Sequence, residues 1–189
     1  MTPFMLHLLR HGAPAKPGLL LGHADMAPTP EGLAACTARA QGLDVAAIVA
    51  SDLRRCAEAA QAIASPRALP VQLDRRWREL DFGAWDGLDP AHVSSAALTA
   101  FWVDPDAHAP PGGERWSALH ARVGAALAEL PGSDVLVVTH GGAMRAALAV
   151  LCGFAREQAW AFDLPYAALL SLRVWPGARP TAQVVGLAT

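Results

Sequence analysis

The chain has 189 residues, 53% of them hydrophobic, and a formal net charge of −2. That length and apolar content can bury a substantial core and argue against disorder. The weak charge supplies no basic stripe for nucleic acid, and no apolar run approaches the ~20 residues of a membrane helix, so neither is an expected partner.

Lys16 is the only lysine among the 15 basic residues, and guanidinium forks suit phosphate. Cys36, Cys56 and Cys152 are far apart and form no CxxC or CxxH pair, so a metal site is not expected and reduced, buried thiols are. Met1 to Leu9 lacks a basic leader and a cleavage site, which points to a cytoplasmic protein.

Phe4 to Leu9 is a nearly continuous apolar run and predicts a buried strand of a parallel sheet, ending at Arg10-His11-Gly12. Pro14, Pro17, Gly18, Gly22 and Pro28 mark a loop. Thr29-Pro30 predicts a helix start that runs to about Gln41. Val45 to Ala50 predicts a second strand, and Ser51 is expected to cap a helix that continues to about Ala64. Val71 to Leu73 predicts a short edge strand. The irregular stretch 75–118 holds four of the six tryptophans, and its part from 88 to 118 reads as a small cap-like insertion. Arg115 to Leu130 predicts a helix, Val135 to Val138 a strand, and Ala143 to Leu151 a helix. Leu169 to Val174 and Gln183 to Leu187 predict two last strands with no helix between them.

Alternating strands and helices imply one α/β domain over residues 1–189. It is a three-layer α/β/α sandwich with a mostly parallel sheet and one antiparallel strand near the end. Arg10-His11-Gly12, Ser51 with Arg54-Arg55, and Thr139-His140-Gly141-Gly142 follow three of the strands. In such sheets ligands bind outside the carboxyl ends of the strands, so the three sets can converge. Helix N-termini after Ser51 and Gly142 would add amide donors for an anion.

Arginines, two histidines and helix amides suit a phosphoryl group. A neutral His11 can attack phosphorus if a backbone carbonyl holds its other nitrogen and nearby arginine charge keeps it unprotonated. Gly12 lets the backbone fold close beneath it. Arg10 and either Arg54 or Arg55 would hold phosphoryl oxygens. Glu79 or Asp81 could protonate the leaving oxygen. His7 reads as a core residue, and His92, His108 and His120 carry no signal. His23, next to Gly22, is open between substrate contact and turn chemistry.

Leu8-Leu9-Arg10-His11-Gly12, Ser51-Asp52-Leu53-Arg54-Arg55-Cys56, Glu79 through Gly83 and Val138-Thr139-His140-Gly141-Gly142 resemble, in order, the motifs of the histidine phosphatase superfamily, also called phosphoglycerate mutase-like. The resemblance implies that His11 is transiently phosphorylated. It selects Arg55 as phosphate ligand and Glu79 as proton donor, and places His140, Gly12 and Gly141 at the phosphate. It implies a phosphomonoesterase that needs no cofactor or metal and acts on a small phosphorylated metabolite, as monomer or homodimer. Gly22-His23-Ala24, Pro28 to Gly32 and Pro111-Gly112-Gly113-Glu114 resemble the α-ribazole phosphatases of cobalamin synthesis, which names α-ribazole 5′-phosphate as a substrate. The short span from Glu79 to His140 argues against a phosphoglycerate mutase. Ala13, Pro17, Asp52 and Ala59 depart from the family pattern. Pro17 stands where a phosphate-binding Asn is usual, which admits a non-catalytic phosphate-binding module, or a loop in which Lys16 or His23 compensates.

Overall fold

The computed structural model describes residues 2–189. Its strands are β1 (Phe4–Arg10), β2 (Ala47–Ala50), β3 (Val71–Leu73), β4 (Val135–Thr139), β5 (Leu169–Trp175) and β6 (Thr181–Ala188). They form one sheet in the order β3-β2-β4-β1-β5-β6. β1–β4, β2–β4 and β2–β3 pair in parallel, while β5 runs antiparallel to both β1 and β6. β5 is therefore the one reversed strand, and the pair without an intervening helix is antiparallel as expected.

The helices are α1 (Pro30–Arg39), α2 (Arg54–Ala64), α3 (Ser95–Val103), α4 (Trp116–Ala128), α5 (Gly141–Cys152) and α6 (Arg156–Ala159). They cover both faces of the sheet, and the strand period of two sorts the core between them. On β4, Val135 and Val137 pack with Leu119 and Val123 of α4 and with Met144 and Leu148 of α5. Leu136 and Val138 face the other way, with Cys36 of α1 and with Cys56 and Ile63 of α2. Each such fully buried Val or Leu contributes about 1.5–3 kcal/mol. This is the three-layer α/β/α sandwich.

α1 begins as its sequence predicts, with the Thr29 hydroxyl accepting from the Gly32 amide at 3.0 Å and Pro30 in the first turn. α2 does not: it starts at Arg54, Leu53 occupies the cap position, and no side chain caps it. Ser51 is instead buried, with its hydroxyl against His140. α3 was not legible, because Ser95-Ala-Ala-Leu-Thr-Ala-Phe-Trp-Val has no polar face to show a helical period. The short α6 was missed as well. The stretch 88–118 carries α3, whose Phe101 joins the core beside Trp116. All three cysteines are free; Cys36 and Cys56 are buried, but Cys152 is only half-buried. Among the described residues, no helix is long and apolar enough to cross a membrane.

Candidate active site

Strand register assembles the site. Arg10 on β1 lies level with Thr139 on β4, and Ala50 on β2 lies level with Val138. The next residues of each strand therefore meet: His11, His140 and Ser51. The His11 and His140 rings are 5.1 Å apart between centroids. The His11 backbone is held on both sides, its amide donating to Thr139 O at 2.9 Å and its carbonyl accepting from Ala167 N at 3.2 Å.

His11 Nδ1 is 2.7 Å from the Gly12 carbonyl. A carbonyl can only accept, so Nδ1 carries the proton and Nε2 presents a lone pair. Burial holds the His11 pKa well below its ordinary value, and the charges of Arg55 and Arg10 lower it further against the opposing Gly12 carbonyl. Gly12 must be glycine, since a Cβ there would collide with the Gly32 backbone of α1.

His140 is fully buried and its pKa is likewise held well below ordinary, by burial first and then by Arg55. Arg55 Nε donates to its Nδ1 at 3.3 Å, so the ring proton sits on Nε2 and donates to Ser51 Oγ at 2.9 Å. Arg55 is also fully buried. Its other donors reach the carbonyls of Leu21, Gly22 and Ala24 at 2.6–3.3 Å. Arg54, by contrast, is exposed and pairs with Glu58.

A cavity of about 330 Å³ opens above His11. Arg10, Glu79, Gly141 and Gly142 stand on its wall. Arg10 Nη1 donates to Leu164 O at 2.5 Å, and its guanidinium lies 4.5 Å over the Tyr166 ring. The Glu79 carboxylate accepts from Leu80 N at 2.9 Å and from Gly142 N at 3.0 Å. A Cβ at Gly142 would overlap Glu79 Oε1, so glycine there makes room for the acid. Gly141 and Gly142 open α5, whose positive end faces the cavity. Among the described residues, no cluster of three His, Cys, Asp or Glu side chains could hold a metal ion.

Several expected residues lie elsewhere. Asp81 accepts from Gly83 N at 2.8 Å and faces His23 Nδ1 at 3.4 Å, off the cavity wall. Gly22 and His23, open from the sequence between substrate contact and turn chemistry, do not line the cavity. Their amides and that of Ala24 converge on the Asp86 carboxylate at 2.6–3.0 Å, and His23 Nε2 meets the Glu79 carbonyl at 3.1 Å. These contacts brace the loop, and its Leu19, Leu20 and Leu21 face the cavity instead. Lys16 is exposed and also off the wall, so neither it nor His23 takes the place of the missing Asn. Arg145, Tyr166 and Trp160 line the cavity and were not singled out from the sequence. Arg145 lies four residues after Gly141 on α5, hence on the same face, but the helix expected from Ala143 left Gly141 out.

A model described as "Histidine phosphatase superfamily (branch 1)" matches residues 6–185. The chain belongs to the histidine phosphatase superfamily. It is 30% identical over 169 residues to the adenosylcobalamin/α-ribazole phosphatase of Escherichia coli, covering 83% of each chain. It is 37% identical over 125 residues to a glucosyl-3-phosphoglycerate phosphatase of Mycolicibacterium vanbaalenii, covering 56% of this chain and 53%, about half, of that protein. The solved structure of a mycobacterial glucosyl-3-phosphoglycerate phosphatase superposes with a TM-score of 0.84 at 27% identity, covering 96% of both chains.

Proposed function

We propose that this histidine phosphatase family member is a phosphomonoester hydrolase working through a phosphohistidine. The observation that carries the reading is the His11 imidazole, neutral and with Nε2 free of protein partners, at a cavity walled by Arg10 and Glu79. His11 Nε2 attacks phosphorus and the P–O ester bond breaks. Glu79 protonates the leaving alkoxide, then takes a proton from the water that cleaves phospho-His11 to inorganic phosphate. Arg10 and the Gly141 amide at the start of α5 stabilise the equatorial oxygens from the wall. Arg55 and His140 are fully buried next to His11 and outside the cavity lining, so the Arg55 charge offsets the second phosphoryl charge from behind the wall. The complete set of these residues supports a catalyst over a binding module, and the phosphatases among its relatives support hydrolysis over mutase chemistry. The three free thiols support a cytoplasmic setting.

Two substrates stand out. α-Ribazole 5′-phosphate follows from the E. coli relative, and an arene could lie against the Phe101, Trp102, Trp116 and Trp160 side of the cavity. Glucosyl-3-phosphoglycerate follows from the mycobacterial relatives and carries a carboxylate that Arg145 could meet. Phosphate release from both compounds and from p-nitrophenyl phosphate tests the reading. His11→Ala is expected to abolish release and to lose an acid-labile, base-stable phosphoenzyme. Full activity of that variant would sink the mechanism.

A further inference from the structure

Arg145 is a cation at the site that hydrolysis as written leaves without a role. It stands on α5 one turn after Gly141, and its guanidinium lies 4.9 Å over the Trp160 ring. Nη1 and Nη2 make long hydrogen bonds to the carbonyls of Gly141 and Phe162, at 3.3 and 3.2 Å, and Nε is buried without a partner. Arg10 has a buried, unpartnered Nε too. A Cβ on Gly141 would lie 3.2 Å from Arg145 Nη1 and 3.6 Å from Arg10 Cζ, so two like charges flank one point of the wall.

Among the described residues, neither arginine pairs with a carboxylate. Glu79, the acid on this wall, is held by backbone amides. Arg156 differs, since its guanidinium is committed to the Trp102 and Val103 carbonyls and to Glu157. The two unpaired arginines stand side by side but reach toward different neighbours. Arg10 lies 4.5 Å over the Tyr166 ring, which is 5.5 Å from His11, whereas Arg145 lies over Trp160, in the cluster with Trp102 and Trp116. Arg10 thus belongs to the phosphoryl end, and Arg145 to the aromatic side of the cavity, where a leaving group would extend. A phosphomonoester dianion is offset by Arg10 and Arg55, which leaves Arg145 for a third negative charge.

We propose that Arg145 recognises a second anionic group, a carboxylate or another phosphate, on the leaving group close to the ester oxygen. The proposal rests on the phosphatase reading and would rank phosphorylated hydroxy acids or bisphosphates above α-ribazole 5′-phosphate. A charge-assisted hydrogen bond of this kind corresponds to roughly tenfold to a hundredfold in kcat/KM.

The test compares matched esters: 3-phosphoglycerate against glycerol 3-phosphate, which differ by a carboxylate, and fructose 1,6-bisphosphate against fructose 6-phosphate. The expected result is a preference of at least about tenfold for the anionic member of one pair, carried by KM. That preference should collapse toward unity in Arg145→Met and return in part in Arg145→Lys. The pair that shows it tells carboxylate from phosphate. No preference in the wild type for either pair overturns the proposal, as does an equal proportional loss on both members in Arg145→Met. If p-nitrophenyl phosphate and all four esters are left intact, the phosphatase reading itself fails. Hydrolysis without preference refutes only the assignment of Arg145.

Discussion

Gly142→Ala alters the placement of Glu79, the proposed proton donor, while leaving its carboxyl group intact. The Gly142 amide donates to Glu79 Oε2 at 3.0 Å, and Leu80 N to Oε1 at 2.9 Å. A methyl at position 142 would overlap Oε1, so the carboxylate must retreat by about 1 Å, a displacement that can lower a rate by about 10²-fold. Since general acid catalysis is worth about 10²–10⁴-fold, the variant should lose much of that contribution on alkyl phosphates. It should lose far less on p-nitrophenyl phosphate, whose leaving phenolate is stable without the proton. The assay is the first-turnover rate of phosphoryl transfer by rapid quench, across esters of graded leaving-group basicity. The rate should fall more steeply with basicity in Gly142→Ala than in the wild type. Glu79→Gln should show a similar slope, and the double variant should lose little more than either single. An unchanged slope, or equal losses on all esters, refutes the placement of Glu79 at the leaving oxygen.

Stability should depend on pH through the buried histidines. His11 and His140 have folded pKa values well below the ordinary 6.5, so below that pH the unfolded chain binds protons that the folded protein does not. Their stabilising effect is complete above about pH 6.5 and is lost as pH falls toward the folded values, at up to about 1.4 kcal/mol per pH unit for each histidine. Urea unfolding should thus show stability falling between pH 7 and 5.5, by on the order of 1 kcal/mol for each of these two residues, and a flat profile contradicts neutral imidazoles. Asp86→Ala leaves the part-buried amides of Gly22, His23 and Ala24 without their shared acceptor. The expected loss is about 2–4 kcal/mol, or roughly 10 °C in Tm, and a drop under about 2 °C by thermal unfolding would show that the loop is held otherwise.

By itself the sequence determined the layer architecture and brought forward His11 as the candidate nucleophile. Buried strands read as apolar runs because both faces of a parallel sheet are covered, and the polar residues that end those runs must lie at the carboxyl edge. Arg10, His11 and His140 were legible on that ground, and family likeness chose Arg55 and Glu79 over Arg54 and Asp81. Their placement, Arg55 buried against His140 and Glu79 on the cavity wall, came from the tertiary structure. So did the hydrogen bond of Ser51 to His140 in place of a helix cap, because the level of β2 against β4 is a cross-strand register that no local pattern encodes. Gly22 and His23 looked like a substrate loop, yet Asp86, 62–64 residues away, turns their backbone to the frame and leaves the leucines before them to the cavity. Arg145 and the aromatic wall were hidden for the same reason. A helical or strand period shows which face a side chain takes, but only the packed chain decides what that face meets.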